Sequence, residues 1–255
     1  MLIMTNQVKL VLVRHGQSKW NKENLFTGWA DVPLTVQGKK EAREAGELLK
    51  NYAFHSAFSS TLSRANDTLS IILERSQTPP PKTTFNWKLN ERHYGALEGL
   101  NKQQVTKEYG SDQVKIWRRS LDIAPPTLDK KDERYTRHQE KYAYLSENEL
   151  PLAESLKDTL DRVQPYWETN IKPLLEIGKD VLVVAHGNSL RALAKIIENI
   201  NNIDILEFNI PTGVPREYTF TADLKLLNAS YLGDPKAVAE KAHAIAHQAS
   251  EQQQK

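Results

Sequence analysis

The chain has 255 residues, enough for one large α/β domain or two small ones, and for a sizeable core. Charged side chains make up 26% of it but nearly cancel, and a net charge of +2 argues against nucleic acid or a membrane surface as a bulk partner. Cysteine is absent, which excludes disulfides and thiolate metal sites and leaves the seven histidines as the only metal option.

Taken in chain order, Met1-Leu2-Ile3-Met4 is too short for the core of a signal peptide. No apolar stretch approaches the roughly 20 residues that cross a bilayer, so the expectation is a soluble, cytoplasmic protein. Leu10-Val11-Leu12-Val13 reads as a buried parallel strand and runs straight into Arg14-His15-Gly16. A polar loop follows from Gln17 to Pro33. Thr35 then caps a helix reaching about Lys50, with Ala42, Ala45, Leu48 and Leu49 on its apolar face. A short strand over Ala57 to Ser59, a helix from about Leu62 to Glu74, the Pro79-Pro80-Pro81 break and a brief strand near Thr83 to Asn86 come next.

From about residue 87 to 150 the apolar runs vanish, and the span is too long for a plain loop. It is expected to be a largely helical insertion, with helices over Lys102 to Tyr109 and Asp112 to Arg119. Ser155 and Asp158 open the next helix with a capping box, and Pro165 is expected to kink it. Val181 to Ala185 repeats the first strand's pattern and ends in His186-Gly187-Asn188, followed by a helix from about Ser189 to Ile200. Two late strands, Glu217 to Thr221 and Lys225 to Asn228, suit an antiparallel edge. The Ala-, Glu- and Gln-rich tail from about 236 to 255 is expected to be flexible, helical in part and frayed beyond. These elements predict a single domain over residues 1–255: a three-layer α/β/α sandwich around a mostly parallel sheet with one antiparallel edge strand, plus the insertion.

Open α/β sheets bind ligands beyond the carboxyl ends of their strands. If both long strands lie in one sheet, His15 and His186 meet in one crevice with Arg14 beside them. A neutral imidazole is a competent nucleophile toward phosphorus, and arginine grips phosphate with a forked pair of donors. Each motif alone also fits a bland reading: a strand end for Arg14-His15-Gly16, a satisfied histidine for His186, a solvated loop for Leu89 to Gly95. Two strand-His-Gly units in one chain are hard to ascribe to chance. Within the loop, Glu91 could move a proton if burial raised its pKa. The first amides of the helix after His186 would favour an anion. Arg64, Lys102, Arg118 and Arg119 matter only if they converge, since phosphoryl transfer without a metal needs several cations. His243 and His247 are spaced by four, but no acids join them in a ligand pattern, so no metal is expected.

Beyond these motifs stand Asn21-Lys22-Glu23-Asn24, Phe26-Thr27-Gly28-Trp29, Lys88 through Leu97, Gly99 through Lys102, Trp117-Arg118-Arg119, His186 through Ala192 and Asn209 through Pro215. As a set they cover residues 9 to about 233, and the chain resembles the 2,3-bisphosphoglycerate-dependent phosphoglycerate mutases of the histidine phosphatase superfamily. The resemblance implies interconversion of 2- and 3-phosphoglycerate in glycolysis and gluconeogenesis through a phosphohistidine enzyme primed by 2,3-bisphosphoglycerate. It assigns His15 as the phosphorylated nucleophile, Glu91 as proton donor and acceptor, and His186 as stabiliser of the transferring phosphoryl group. It assigns substrate contacts to Arg14, Ser18, Asn21, Thr27, Gly28, Arg64, Arg92, Tyr94, Lys102, Arg118, Arg119, Gly187 and Asn188. It further implies assembly into dimers or tetramers and a tail that covers the active site. Gln17 departs from the glutamate common at its position, and Thr136-Arg137 from a frequent Pro-Gly pair.

Overall fold

The computed structural model describes residues 7–246. Strand β1 (Val8–Arg14) leads through a single turn α1 (Lys19–Lys22) to helix α2 (Val36–Leu49). Then come β2 (Ser56–Ser59), α3 (Ser63–Leu73), β3 (Lys82–Phe85), α4 (Lys102–Tyr109), α5 (Ser111–Arg119) and α6 (Leu156–Tyr166). After α7 (Lys172–Glu176) follow β4 (Val181–Ala185), α8 (Gly187–Glu198), α9 (Asp204–Glu207), β5 (Pro215–Phe220), β6 (Leu226–Tyr231) and α10 (Pro235–Ala246). The six strands form one sheet in the order β3-β2-β4-β1-β5-β6. Pairing is parallel from β3 across to β1 and antiparallel at β5 and β6. The strand that runs against the others is β5, one place in from the edge, and β6 completes the sheet.

The two long apolar runs are central and adjacent because they are apolar on both faces. Leu10 and Leu12 of β1, with Val181 and Val183 of β4, pack against α6, α7 and α8. Val11, Val13, Leu182 and Val184 pack on the opposite face against Ala45 and Leu49 of α2 and Leu69 and Ile72 of α3. Alternating side chains thus fill two cores, which makes the three-layer sandwich. The register pairs Val13 with Val184 and Arg14 with Ala185. His15 and His186 therefore leave the sheet side by side.

Helix starts follow their caps. Thr35 Oγ1 accepts from the Gly38 N–H at 3.0 Å, and Ser155 with Asp158 forms the reciprocal pair expected for α6. Pro165 does not end that helix. The chain widens into a π-helical turn over Trp167–Ile171, where Thr169 Oγ1 donates to the Pro165 carbonyl at 2.7 Å, before α7 resumes. Beyond α4 and α5, the span 87–150 is made of single 3₁₀ turns and loops. These gather around Trp29, Trp87, Tyr135, Tyr142 and Leu145 in a satellite core. A second cluster of Phe26, Leu97, Val105, Val114 and Trp117 seats α4 and α5 beside the sheet's carboxyl edge. Among the described residues no helix is long and apolar enough to cross a membrane. Residues 1–4, His247 and the end of the tail lie outside the described residues.

Candidate active site

The loop after β1 is pressed onto the start of α2. A Cβ on Gly16 would lie 2.2 Å from the Gly38 carbonyl oxygen, so only glycine fits at that crossing. This packing holds His15 at the strand end. Its Nδ1 lies 2.7 Å from the Gly16 carbonyl, and Arg64 Nε lies 3.3 Å from its Nε2. A guanidinium can only donate, so Nε2 is the unprotonated nitrogen and Nδ1–H donates to Gly16. Burial, reinforced by Arg64 and Arg14, pushes the His15 pKa well below the ordinary histidine range. The ring is neutral, with its nucleophilic lone pair on Nε2.

The His186 ring lies edge-on to it, with centroids 4.9 Å apart. His186 is also neutral, because burial and then Arg64 push its pKa far down. Its Nε2 lies 2.7 Å from Ser60 Oγ, and its Nδ1 is buried without a hydrogen-bond partner. The expected convergence of the two histidines is present.

Glu91 sits across from them. Its Oε1 accepts from the backbone N–H of Arg92 at 2.8 Å and of Asn188 at 2.9 Å. Burial pushes this carboxyl up, but Arg14, those two amides and Arg64 outweigh it and hold it below the ordinary range. The expected burial-driven rise is corrected: in the free site Glu91 is a carboxylate. The start of α8, expected to face a ligand, spends the Asn188 N–H on Glu91 instead.

The Glu91 loop is held from behind. Arg162 of α6 donates to the carbonyls of Lys88, Asn90 and Glu91 at 2.6, 3.0 and 3.0 Å, and the Trp29 indole also donates to Glu91 O at 2.6 Å. Both oxygens of buried Glu154 pair with Arg162, at 2.6 and 3.0 Å, and one also accepts from the His93 N–H. Arg162→Met would strand Glu154 as a buried charge and free three carbonyls. We expect it to cost about 3–5 kcal/mol of stability in urea unfolding, and a loss under about 1 kcal/mol would contradict this arrangement.

In front of these groups opens a cleft of about 680 Å³, counted to its open mouth. Of the residues singled out from sequence, Arg14, His15, Asn21, Thr27, Gly28, Arg64, Glu91, Tyr94, Lys102, Arg118, Arg119, Gly187 and Asn188 line it. His186, Ser18 and Arg92 do not. His186 is fully buried, its ring against that of His15. Ser18 is fully buried as the cap of α1, with its Oγ accepting from the Asn21 N–H at 3.2 Å. Arg92 lies beneath the floor, its guanidinium 4.6 Å from the Tyr94 ring centroid and donating to Tyr94 Oη and the Arg118 carbonyl.

Leu25, Phe26, Asn209, Ile210 and Arg191 line the cleft without having been singled out as contacts. Arg191 donates to Asn188 Oδ1 at 2.9 Å and to the Ile205 carbonyl, and its Nε is buried without a partner. Burial, then Arg119, pushes its pKa down to about 9. Burial and Arg118 likewise push Lys102 down to about 7. Among the described residues, six cations therefore line the cleft against one carboxylate, Glu91.

Among the described residues, none from α10 lines the cleft. Lys241 of α10 instead faces Glu41 of α2 at 3.9 Å, and Glu41 also accepts the Gln17 N–H at 2.8 Å. The Gln17 side chain accepts from Thr35 Oγ1 at 2.9 Å, a bond that a glutamate could equally accept. Among the described residues no group of three or more His, Asp or Glu could hold a metal ion.

The model of the histidine phosphatase superfamily (branch 1) matches residues 10–149, more than half of the chain. The chain belongs to this superfamily. Solved structures with the same histidine phosphatase fold include a phosphoglycerate mutase from Bacillus anthracis, 23% identical, covering 94% of this chain and 98% of that one, with a TM-score of 0.66. A mycobacterial glucosyl-3-phosphoglycerate phosphatase is 21% identical over 88% of this chain and 97% of its own, with a TM-score of 0.64. An alpha-ribazole phosphatase from Shigella flexneri is 21% identical over 88% and 96%, with a TM-score of 0.62. At these identities the likeness is one of fold. Phosphoryl transfer through a histidine is the chemistry this superfamily and this geometry share.

Proposed function

We propose that this histidine phosphatase is a 2,3-bisphosphoglycerate-dependent phosphoglycerate mutase acting on small phosphoglycerates. One observation carries the reading: two neutral imidazoles in ring contact at the base of a cleft that, among the described residues, is lined by six cations and one carboxylate. A phosphoglycerate brings a phosphate and a carboxylate, and its bisphosphate a second phosphate, so cations spread along a cleft suit it better than one tight phosphate pocket. Buried donors at Arg14 Nε and Arg191 Nε have no partner, which fits an anionic guest. The motif set shared with the mutases along residues 9–233 supports the same reading.

Bound 2,3-bisphosphoglycerate would supply the phosphoryl group that charges His15. In the transfer that follows, the His15 Nε2–P bond breaks as the substrate hydroxyl oxygen bonds to phosphorus, and Glu91 accepts the hydroxyl proton. His186 and the arginines stabilise charge on the transferring oxygens. In the reverse half-reaction His15 takes a phosphoryl group back, and Glu91 returns its proton to the leaving oxygen. Arg118, Arg119 and Lys102 hold the distant anionic groups.

Water is the rival acceptor, and phosphatases share this fold, so hydrolysis of the phosphohistidine is the second reading. Given 3-phosphoglycerate and a trace of 2,3-bisphosphoglycerate, the protein is expected to form 2-phosphoglycerate faster than it releases inorganic phosphate. Phosphate release without isomerisation would replace the mutase by a phosphatase.

A further inference from the structure

Ser60 follows β2 directly, and β2 is the sheet neighbour of β4 on the side away from β1. Its register brings Ser59 opposite Val184, with Ser59 Oγ donating to the Val184 carbonyl at 2.8 Å. Ser60 therefore stands beside the end of β4, and both Ser60 and His186 are fully buried. The Ser60 hydroxyl oxygen accepts from the Leu62 N–H at 3.1 Å and lies 2.7 Å from His186 Nε2.

With one lone pair engaged by Leu62, the hydroxyl proton is free for the imidazole. If Nε2 accepts it, a neutral His186 carries its own proton on Nδ1, the buried nitrogen without a partner. The opposite tautomer would turn an acceptor toward the Ser189 N–H at the start of α8, which lies by the His186 ring without closing a hydrogen bond to Nδ1, and would leave the Ser60 proton to find another home. A donor at Nδ1, on a ring packed edge-on to His15, is what a phosphoryl oxygen on His15 would need.

We propose that Ser60 is a positioning residue for His186: its hydroxyl donates to Nε2 and holds His186 as the Nδ1–H tautomer that offers a hydrogen bond to the phosphoryl group carried by His15. The inference rests on the phosphohistidine reading of the site. It parallels the neighbouring ring, where the Gly16 carbonyl holds the His15 proton on Nδ1 and leaves Nε2 unprotonated.

The test is nitrogen-15 NMR of the full chain labelled at histidine, with the His186 signals assigned by their loss in His186→Gln. The proton is expected on Nδ1, and a proton on Nε2 overturns the proposal. In parallel, Ser60→Ala is expected to lower kcat about tenfold, the scale of one buried hydrogen bond, with KM within about twofold. In a His186→Gln background the same change is expected to have no further effect. An equal loss with and without His186 would overturn the proposal. If Ser60→Ala does not fold, the wild-type tautomer alone decides. Failure of the phosphohistidine reading would appear separately, as turnover that survives His15→Asn.

Discussion

Replacing His15 with asparagine is expected to abolish phosphoryl transfer, lowering kcat by about 10⁴-fold or more, on the order of 5 kcal/mol of barrier. The reason is local. His15 Nε2 carries the nucleophilic lone pair that the arrangement prepares: Nδ1–H is committed to Gly16, burial with Arg64 and Arg14 keeps the ring neutral, and the two central strands fix its place. Asparagine is close in polarity and smaller in volume, so the sheet and the Gly16–Gly38 crossing remain, and a circular dichroism spectrum like that of the wild type is expected. Stopped assays over a range of substrate concentrations give kcat and KM. Binding should change little, because the cations that hold the anionic groups are untouched. A variant within tenfold of wild type would mean that another group is the nucleophile.

Glu91→Gln comes next in size, with an expected loss of about 10²–10⁴ in kcat, the usual weight of a general acid and base. Glutamine keeps an oxygen for the Arg92 and Asn188 amides, so the loop should stay in place. What it loses is the carboxylate. Burial raises the Glu91 pKa, but Arg14, the two amides and Arg64 lower it further than burial raises it. A depressed pKa means that the basic form persists down to pH values below the ordinary carboxylate range and is lost only as pH falls through the depressed value. At neutral pH the wild-type site therefore always holds a ready proton acceptor, and the variant holds none at any pH. Its rate is expected to be low across the whole profile rather than displaced along the pH axis. A variant with normal kcat near pH 7 would remove Glu91 from proton transfer.

Much of this was legible in the chain. The apolar runs before His15 and His186 are fully hydrophobic rather than alternating, which is the pattern of strands buried on both faces, and they occupy the centre of the sheet. Thr35 and Ser155 marked helix starts because a short side-chain oxygen there satisfies an otherwise free amide. Single turns were not visible. Helix α1 has four residues and no apolar periodicity, so only its Ser18 cap distinguishes it from loop. Strand β5 begins at Pro215, two residues before the expected Glu217, since proline is tolerated as the first residue of a strand.

At the site, Arg191 has little local signal, since an arginine inside a helix is usually a surface residue. Its spacing from Asn188, i to i+3, places both on one helix face, and that was the available signal. The direction of the Glu91 shift could not be read from sequence, since it depends on the Asn188 amide, 97 residues away. Ser60 and Arg162 hold His186 and the Glu91 loop through tertiary contacts that no local pattern carries.

The central claim is that His15 Nε2 carries the phosphoryl group between substrates. The most direct measurement is to incubate the protein with phosphorus-labelled 2,3-bisphosphoglycerate, quench in base, and map the label by peptide mass spectrometry. The account predicts an acid-labile, base-stable label on His15 that passes to added 3-phosphoglycerate and is absent from His15→Asn. A label on any other residue, or steady turnover with no protein-bound phosphoryl group, would contradict it.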